Sequence, residues 1–136
     1  MTGTKCDIYL RSKQKMGGQL DVTEESYSAS YIDRNGRRYI SYKRNAEDGE
    51  INCLISFDRK SLTMTQKGAL NSKLELIPGK KTVNKYVTVV GALSLQLYTR
   101  HYQLVETKDS LKISLDYDII TEPDSIETSI EIIIKF

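Results

Sequence analysis

The sequence predicts an all-β fold: a single antiparallel β-barrel, closed or nearly closed, of about 8–10 strands. One domain is expected over residues 1–136. Three observations predict this. Short segments alternate apolar and polar residues along the whole chain, with turn signals between them. Nine tyrosines with no tryptophan, together with many β-branched residues, suit a pleated, half-buried surface. No segment carries a convincing helical period, and an open sheet of so many strands would leave edges that closure removes.

The elements follow in order. Cys6, Ile8 and Leu10, spaced by two, predict a first strand over roughly 4–13, and Met16-Gly17-Gly18 turns the chain. Leu20 and Val22 open a second strand, which Tyr27, Ala29 and Tyr31 continue in the opposite phase. That phase change predicts a bulge or break near Glu24–Ser26. Asp33-Arg34-Asn35-Gly36 is the firmest turn, because Asn-Gly readily takes the positive φ of a tight hairpin. Tyr39-Ile40-Ser41-Tyr42 returns from it, and Asn45–Gly49 forms the next loop. Ile51, Cys53, Ile55 and Phe57 alternate through a fourth strand. After an Asp58–Ser61 turn, Leu62 and Met64 mark a fifth, and Leu74 and Leu76 a sixth, ending at Pro78-Gly79.

Residues 81–92 are the least sharply patterned. Lys81, Lys85 and Val89 have helical spacing, but valine and threonine at 87–90 favour a strand. Leu93, Leu95 and Leu97 alternate with Ser94, Gln96 and Tyr98. Tyr102 and Leu104 begin another strand or continue this one after a bend. Leu111, Ile113, Leu115 and Tyr117 alternate cleanly, and turn-like residues surround Pro123. Ile130, Ile132 and Ile134 form the last strand, where Ile133 interrupts the polar face.

Composition bounds the function. The apolar fraction is 39% and the charged fraction 28%, so the chain is not of disordered composition. A net charge of +2 argues against nucleic acid as a partner. Lysine and arginine predominate before residue 101, aspartate and glutamate after it. Cys6 and Cys53 lack metal-ligand spacing and read as small core residues. No apolar secretory region is visible and no stretch approaches a membrane span. The expected address is therefore the cytoplasm, with both thiols reduced and no membrane contact.

Residues that carry chemistry are scarce. His101 has no sequence-adjacent carboxylate and reads as an exposed loop histidine. Asp116 and Asp118 share one face of a strand, but Leu115 and Tyr117 hold the apolar phase, so both carboxylates are expected to face water. No nucleophile elbow, phosphate loop or dinucleotide fingerprint is present. No catalytic residue, metal site or cofactor is therefore assigned. The densest local feature is the hairpin 34–44. It carries Arg34, Arg37, Arg38, Lys43 and Arg44 with Tyr39 and Tyr42, a set able to hold a phosphate backbone and stack bases. Lys80, Lys81 and Lys85 would extend that surface only if they fold beside it.

Tyr39-Ile40-Ser41-Tyr42, then Leu62-Thr63-Met64-Thr65 leading to Gly68, then Tyr86 with Gly91, Leu93, Leu95, Leu97 and Thr99, and later a strand ending near Tyr117, occur in the order of a known family. In this the chain resembles the YwiB-like family of uncharacterised small bacterial proteins. The resemblance implies a lipocalin-like, calycin-type barrel and says nothing of a reaction. The chain departs from the family pattern at Arg44, where a glutamate is usual, and at Gln66, where an arginine is usual.

Three function classes follow. The first is a non-enzymatic binding barrel holding a small apolar or amphipathic ligand inside, with Tyr42, Arg44, Gln66, Tyr86 and Tyr117 as lining or rim. Its competitor is an interior filled by the barrel's own side chains. The second is an RNA- or protein-binding module using Arg34, Arg37, Arg38 and Lys43 of the basic hairpin. The third, an enzyme, is opposed by the shortage of candidate groups. A homodimer through a sheet face or edge is compatible with each.

Overall fold

The alternating segments form ten antiparallel strands in a computed structural model that describes residues 3–47, 49–88, 90–121 and 125–136. They are β1 (Thr4–Met16), β2 (Gln19–Arg34), β3 (Arg37–Ala46), β4 (Gly49–Phe57), β5 (Leu62–Gly68), β6 (Asn71–Leu76), β7 (Lys81–Thr88), β8 (Gly91–Glu106), β9 (Ser110–Ile120) and β10 (Ile126–Lys135). Each strand pairs with the next in sequence, and β1 pairs with β10 from Asp7↔Lys135 to Lys15↔Glu127, which closes the barrel. The hairpins after β1, β3, β5 and β7 gather at one end, here the upper end. The Asn35-Gly36 turn and the start of β1 lie at the lower end.

Local chemistry explains the turns. Asn35 and Gly36 take φ of 54° and 79°, the paired positive values of a two-residue hairpin, and set Arg34 opposite Arg37. Asp58 Oδ1 accepts from the backbone N–H of Lys60 and of Ser61, while the Asp58 N–H donates to the Ser61 carbonyl. The 81–88 segment is a strand, as its branched residues predict.

Two expectations about phase resolve differently. The β1–β2 ladder runs unbroken from Thr4↔Tyr31 to Met16↔Gln19, so no bulge lies near Glu24–Ser26. Leu20 and Val22 instead stand on the outer face, opposite Lys15 and Lys13, which is why their phase opposes that of Tyr27. In β8 the shift is a true bulge: the register with β9 slips between Thr99 and His101. Tyr102 and Leu104 therefore belong to β8, and His101 is not in a loop but on the exposed outer face of that strand, opposite Asp116. The turn at Pro123 lies outside the described residues.

The core fills the lower and middle barrel. Ile40, Ile55, Phe57, Ile113, Ile132 and Ile134 are wholly buried. Burying each such side chain contributes roughly 1.5–3 kcal/mol. These side chains come from β3, β4, β9 and β10, so the core joins distant segments of the chain. The lower mouth is tied by Arg38, which points inward to Glu106 and Asp33, and by the Tyr102 hydroxyl, which donates to the Asp58 carbonyl.

Candidate functional site

The ladder between β2 and β3 is short. It runs from Arg34↔Arg37 to Ser30↔Ser41 and stops, although both strands continue upward. Large inward side chains stand on both sides of this seam and bridge it. Tyr27 of β2 stacks on Tyr42 of β3 with ring centroids 4.9 Å apart, and Arg44 Nη1 lies 3.9 Å from Glu25 Oε1. Outside the stack lies a cleft of about 850 Å³. Ser28, Ser30 and Ser41 line it with Cys6 and Cys53, and Lys5, Lys43 and Lys135 border it.

Inside, the register draws a continuous row across five strands. Tyr42 faces Cys53, Cys53 faces Gln66, Gln66 faces Ser72, and Ser72 faces Tyr86. Cross-strand neighbours on one face lie about 4.5–5.5 Å apart at Cβ, close enough for side chains to meet. Gln66 uses both ends of its amide: Nε2 donates to Cys53 Sγ at 3.9 Å, and Oε1 accepts from the Ser72 hydroxyl at 3.0 Å. Burial pushes the Tyr42 phenol well above its usual range, with the neighbouring Cys53 adding to the rise. Burial likewise raises the Cys53 thiol, against the hydrogen bond from Gln66, so it is no activated nucleophile.

Tyr117 occupies the opposite wall. Thr99 and Thr128 flank it in register, and burial followed by the nearby Tyr86 phenol raises its pKa. The hydroxyls of Thr99 and Thr128 and the Asn84 amide oxygen are buried there and find no hydrogen-bond partner among the described residues.

All five residues expected to line an interior site therefore point inward at the upper half of the barrel, and Tyr42, Gln66 and Tyr86 share one row. Arg44 and Gln66, the two departures from the family pattern, do not serve one another: Arg44 is paired with Glu25, and Gln66 with Cys53 and Ser72. Sequence reasoning missed Tyr27, Glu25, Cys53 and Ser72 as site neighbours. The Tyr27-Ala29-Tyr31 alternation was the available signal for the first of these.

The basic hairpin is divided between faces and matched by carboxylates. Arg37 faces outward, bonding Ser56 and lying 3.3 Å from Asp58, whereas Arg38 faces inward. Lys43 lies 3.6 Å from Glu50. Arg34 stands opposite Arg37. The second basic run, on and before β7, is separated from β3 by β4, β5 and β6, so the two do not join.

Asp116 and Asp118 lie on the outer face. Asp116 accepts from the Ser129 hydroxyl at 2.6 Å and Asp118 pairs with Arg100 at 3.1 Å. Among the described residues no group of three or more His, Cys, Asp or Glu is placed to hold a metal ion.

Comparison with known proteins agrees with this architecture. The chain is 22% identical over 116 residues to the uncharacterised β-barrel protein YwiB of Bacillus subtilis (strain 168), an alignment covering 85% of this chain and 82% of that protein. The crystal structure of the ywiB protein from Bacillus subtilis superposes with a TM-score of 0.88 at 20% identity, over 97% of this chain and 91% of the other. Residues 8–132 match the family model described as a domain of unknown function, DUF1934. The closed antiparallel barrel and this match over nearly the whole chain place the protein in the DUF1934 family of YwiB-like β-barrels.

Proposed function

We propose that the protein is a non-enzymatic binding barrel that holds a small amphipathic molecule in its upper half, against the row from Tyr42 to Tyr86. The observation that carries this reading is that the Tyr42–Cys53–Gln66–Ser72–Tyr86 row ends where the β2–β3 ladder stops and the wall opens. Tyrosine offers a flat apolar face with a polar tip, and an amide and a hydroxyl beside it fix the orientation of a guest. The buried oxygens of Asn84, Thr99 and Thr128 support a guest with polar atoms, or ordered water with it, since buried polar groups are rarely left unpaired. A purely apolar guest deeper down is disfavoured, because Ile55, Phe57 and Ile113 already fill that space. Absence of an activated base or nucleophile in the row favours binding over catalysis. The reading takes the protein to work in the cytoplasm, where Cys6 and Cys53 stay reduced.

The test is native mass spectrometry of protein purified from its own cells, followed by denaturation to release any guest. A stoichiometric small molecule is expected, with occupancy falling about tenfold in Tyr86→Ala, the loss of roughly 1.4 kcal/mol of binding. A mass equal to the bare chain, at full recovery of folded protein, would overturn the proposal.

A further inference from the structure

We infer that the tip of the β7–β8 hairpin is a docking element for an anionic membrane surface, apolar at its apex and basic behind it. The inference goes beyond the small-molecule reading and does not depend on it.

The hairpin reaches past the sheet beside it. β8 pairs with β9 only from Gln96↔Ile120 onward, and β7 pairs with β6 only as far up as Asn71↔Val87. Residues 91–95 of β8 therefore pair with β7 alone among the described residues. The Thr88 hydroxyl holds the turn, accepting from the Val90 N–H and donating to the Gly91 carbonyl, each at 3.2 Å. Val90 is left near the apex, 91% exposed. Val87 is exposed on the outer face. Leu93 stands opposite Tyr86 on the inner face, yet it is 57% exposed, because a hollow of about 540 Å³ lies there in place of core. Apolar side chains thus project on three sides of one tip.

Charge names the occupant. β5, β6 and β7 carry Lys67, Lys73, Lys81 and Lys85 against a single acid, Glu75. None of the four lysines forms an ion pair among the described residues. Lys67, Lys73 and Lys85 alternate with the inward Gln66, Ser72 and Tyr86, so they share the outer face with Val87. Lys73 and Lys85 stand directly opposite each other, an arrangement that costs stability unless an anion lies beside it. Lys85 is roughly 10 Å behind the turn along its strand. A tip lying about 5–10 Å into the boundary of headgroups and acyl chains brings both lysines to the phosphate layer. A folded protein or a nucleic acid would cover one face of the tip and leave the other in water, whereas a bilayer surrounds it. The hairpin after β1 lies at the same end and exposes Met16 and Leu20 beside Lys15, a second point of rest, although Asp21 and Glu127 lower its charge.

The contact is peripheral. The barrel keeps Ile40, Ile55 and Ile132 inside and ion pairs such as Lys112–Glu131 outside, the reverse of a barrel that spans a bilayer. The expectation of no membrane contact rested on the lack of an apolar span, which a docking tip does not need.

The probes are vesicles of phosphatidylcholine alone and of phosphatidylcholine with an equal part of phosphatidylglycerol, sedimented with the full chain. Binding to the anionic vesicles is expected, at least about tenfold tighter than to the neutral ones at low salt. Lys73→Gln and Lys85→Gln should each weaken it about fivefold. Val90→Asp should weaken it at least about tenfold while circular dichroism and the thermal midpoint stay near those of the parent. The chain has no tryptophan, so Val90→Trp places a single reporter at the tip, whose emission should shift to the blue on anionic vesicles. No sedimentation with anionic vesicles would overturn the inference. So would undiminished binding by a folded Val90→Asp variant, or an unshifted emission from vesicle-bound Val90→Trp, since the tip would then stay in water. A dimer in light scattering that Val90→Asp dissolves and vesicles fail to displace would also overturn it, by giving the tip to a second copy.

Discussion

Asp58 shows how one carboxylate can organise the lower mouth. Burial works against its charge, yet the N–H groups of Lys60 and Ser61 and the Arg37 guanidinium outweigh it and hold the carboxyl below its usual range. A pKa lowered in the fold contributes stability above the unfolded value and loses it as pH falls through the folded one. Asp58→Asn should therefore be less stable than the parent at pH 7, with the difference shrinking below about pH 4. Urea midpoints measured across that range check it, and a constant difference down to about pH 2 would contradict the assignment. Tyr102 nearby has its phenol pushed up to about 12, by burial first and then by the charge of Asp58, so it remains a neutral donor to the Asp58 carbonyl. In the core, Ile113 is wholly buried, and Ile113→Ala should cost about 2–5 kcal/mol in urea unfolding. The residues with engaged charges, such as Arg38 with Glu106, could not be paired from the sequence because 68 positions separate them.

Among the elements, turns were the most legible and register the least. Asn35-Gly36 declared its hairpin through local chemistry alone. Gly68 did not declare its role. It has φ of 129°, and a Cβ there would lie 2.3 Å from the Glu50 carbonyl oxygen. By contrast, a Cβ at Gly18 meets nothing within 4 Å, although φ is 85°. Gly18→Ala should then cost about 1–2 kcal/mol from backbone strain alone. Gly68→Ala should cost more, because β4 must also move, and the two urea midpoints compared in one buffer decide it. The phase changes in β2 and β8 teach a related lesson. Both look alike in the sequence, but β8 slips its register at Thr99 and β2 does not. In β2 periodicity told which residues share a face, but not that the face of Leu20 and Val22 is the outer one.

Closure is the property of the whole molecule. Nine ladders join sequence neighbours, and the tenth joins β1 to β10, bringing Asp7 opposite Lys135. Ile8 and Leu10 are buried beside Ile134 and Ile132 in that ladder, so the seam is part of the core. Removal of residues 126–136 should expose two edges and the core together. The shortened chain is expected to lose its cooperative thermal transition and to aggregate, as calorimetry and light scattering would show. An intact cooperative transition in that chain would mean that closure is not needed for folding. Because the last ladder joins the most distant strands, folding of the full chain should fall in the millisecond-to-second range of β-rich domains by stopped-flow fluorescence of its tyrosines.

The sequence by itself determined the all-β class, the strands and turns, the inward face of β4 and β9, and the family resemblance. Alternation and turn chemistry are local, and each is written within a few neighbouring residues. It also singled out Tyr42, Arg44, Gln66, Tyr86 and Tyr117, all of which lie on the inner face of the upper barrel. The tertiary structure decided what those residues meet: the cross-strand row, the Tyr27–Tyr42 stack, the early end of the β2–β3 ladder and the partners of the basic hairpin. Those depend on how far each ladder runs, as where β2 and β3 cease to pair beyond Ser30↔Ser41. That extent is set between segments remote in sequence, and no local pattern records it.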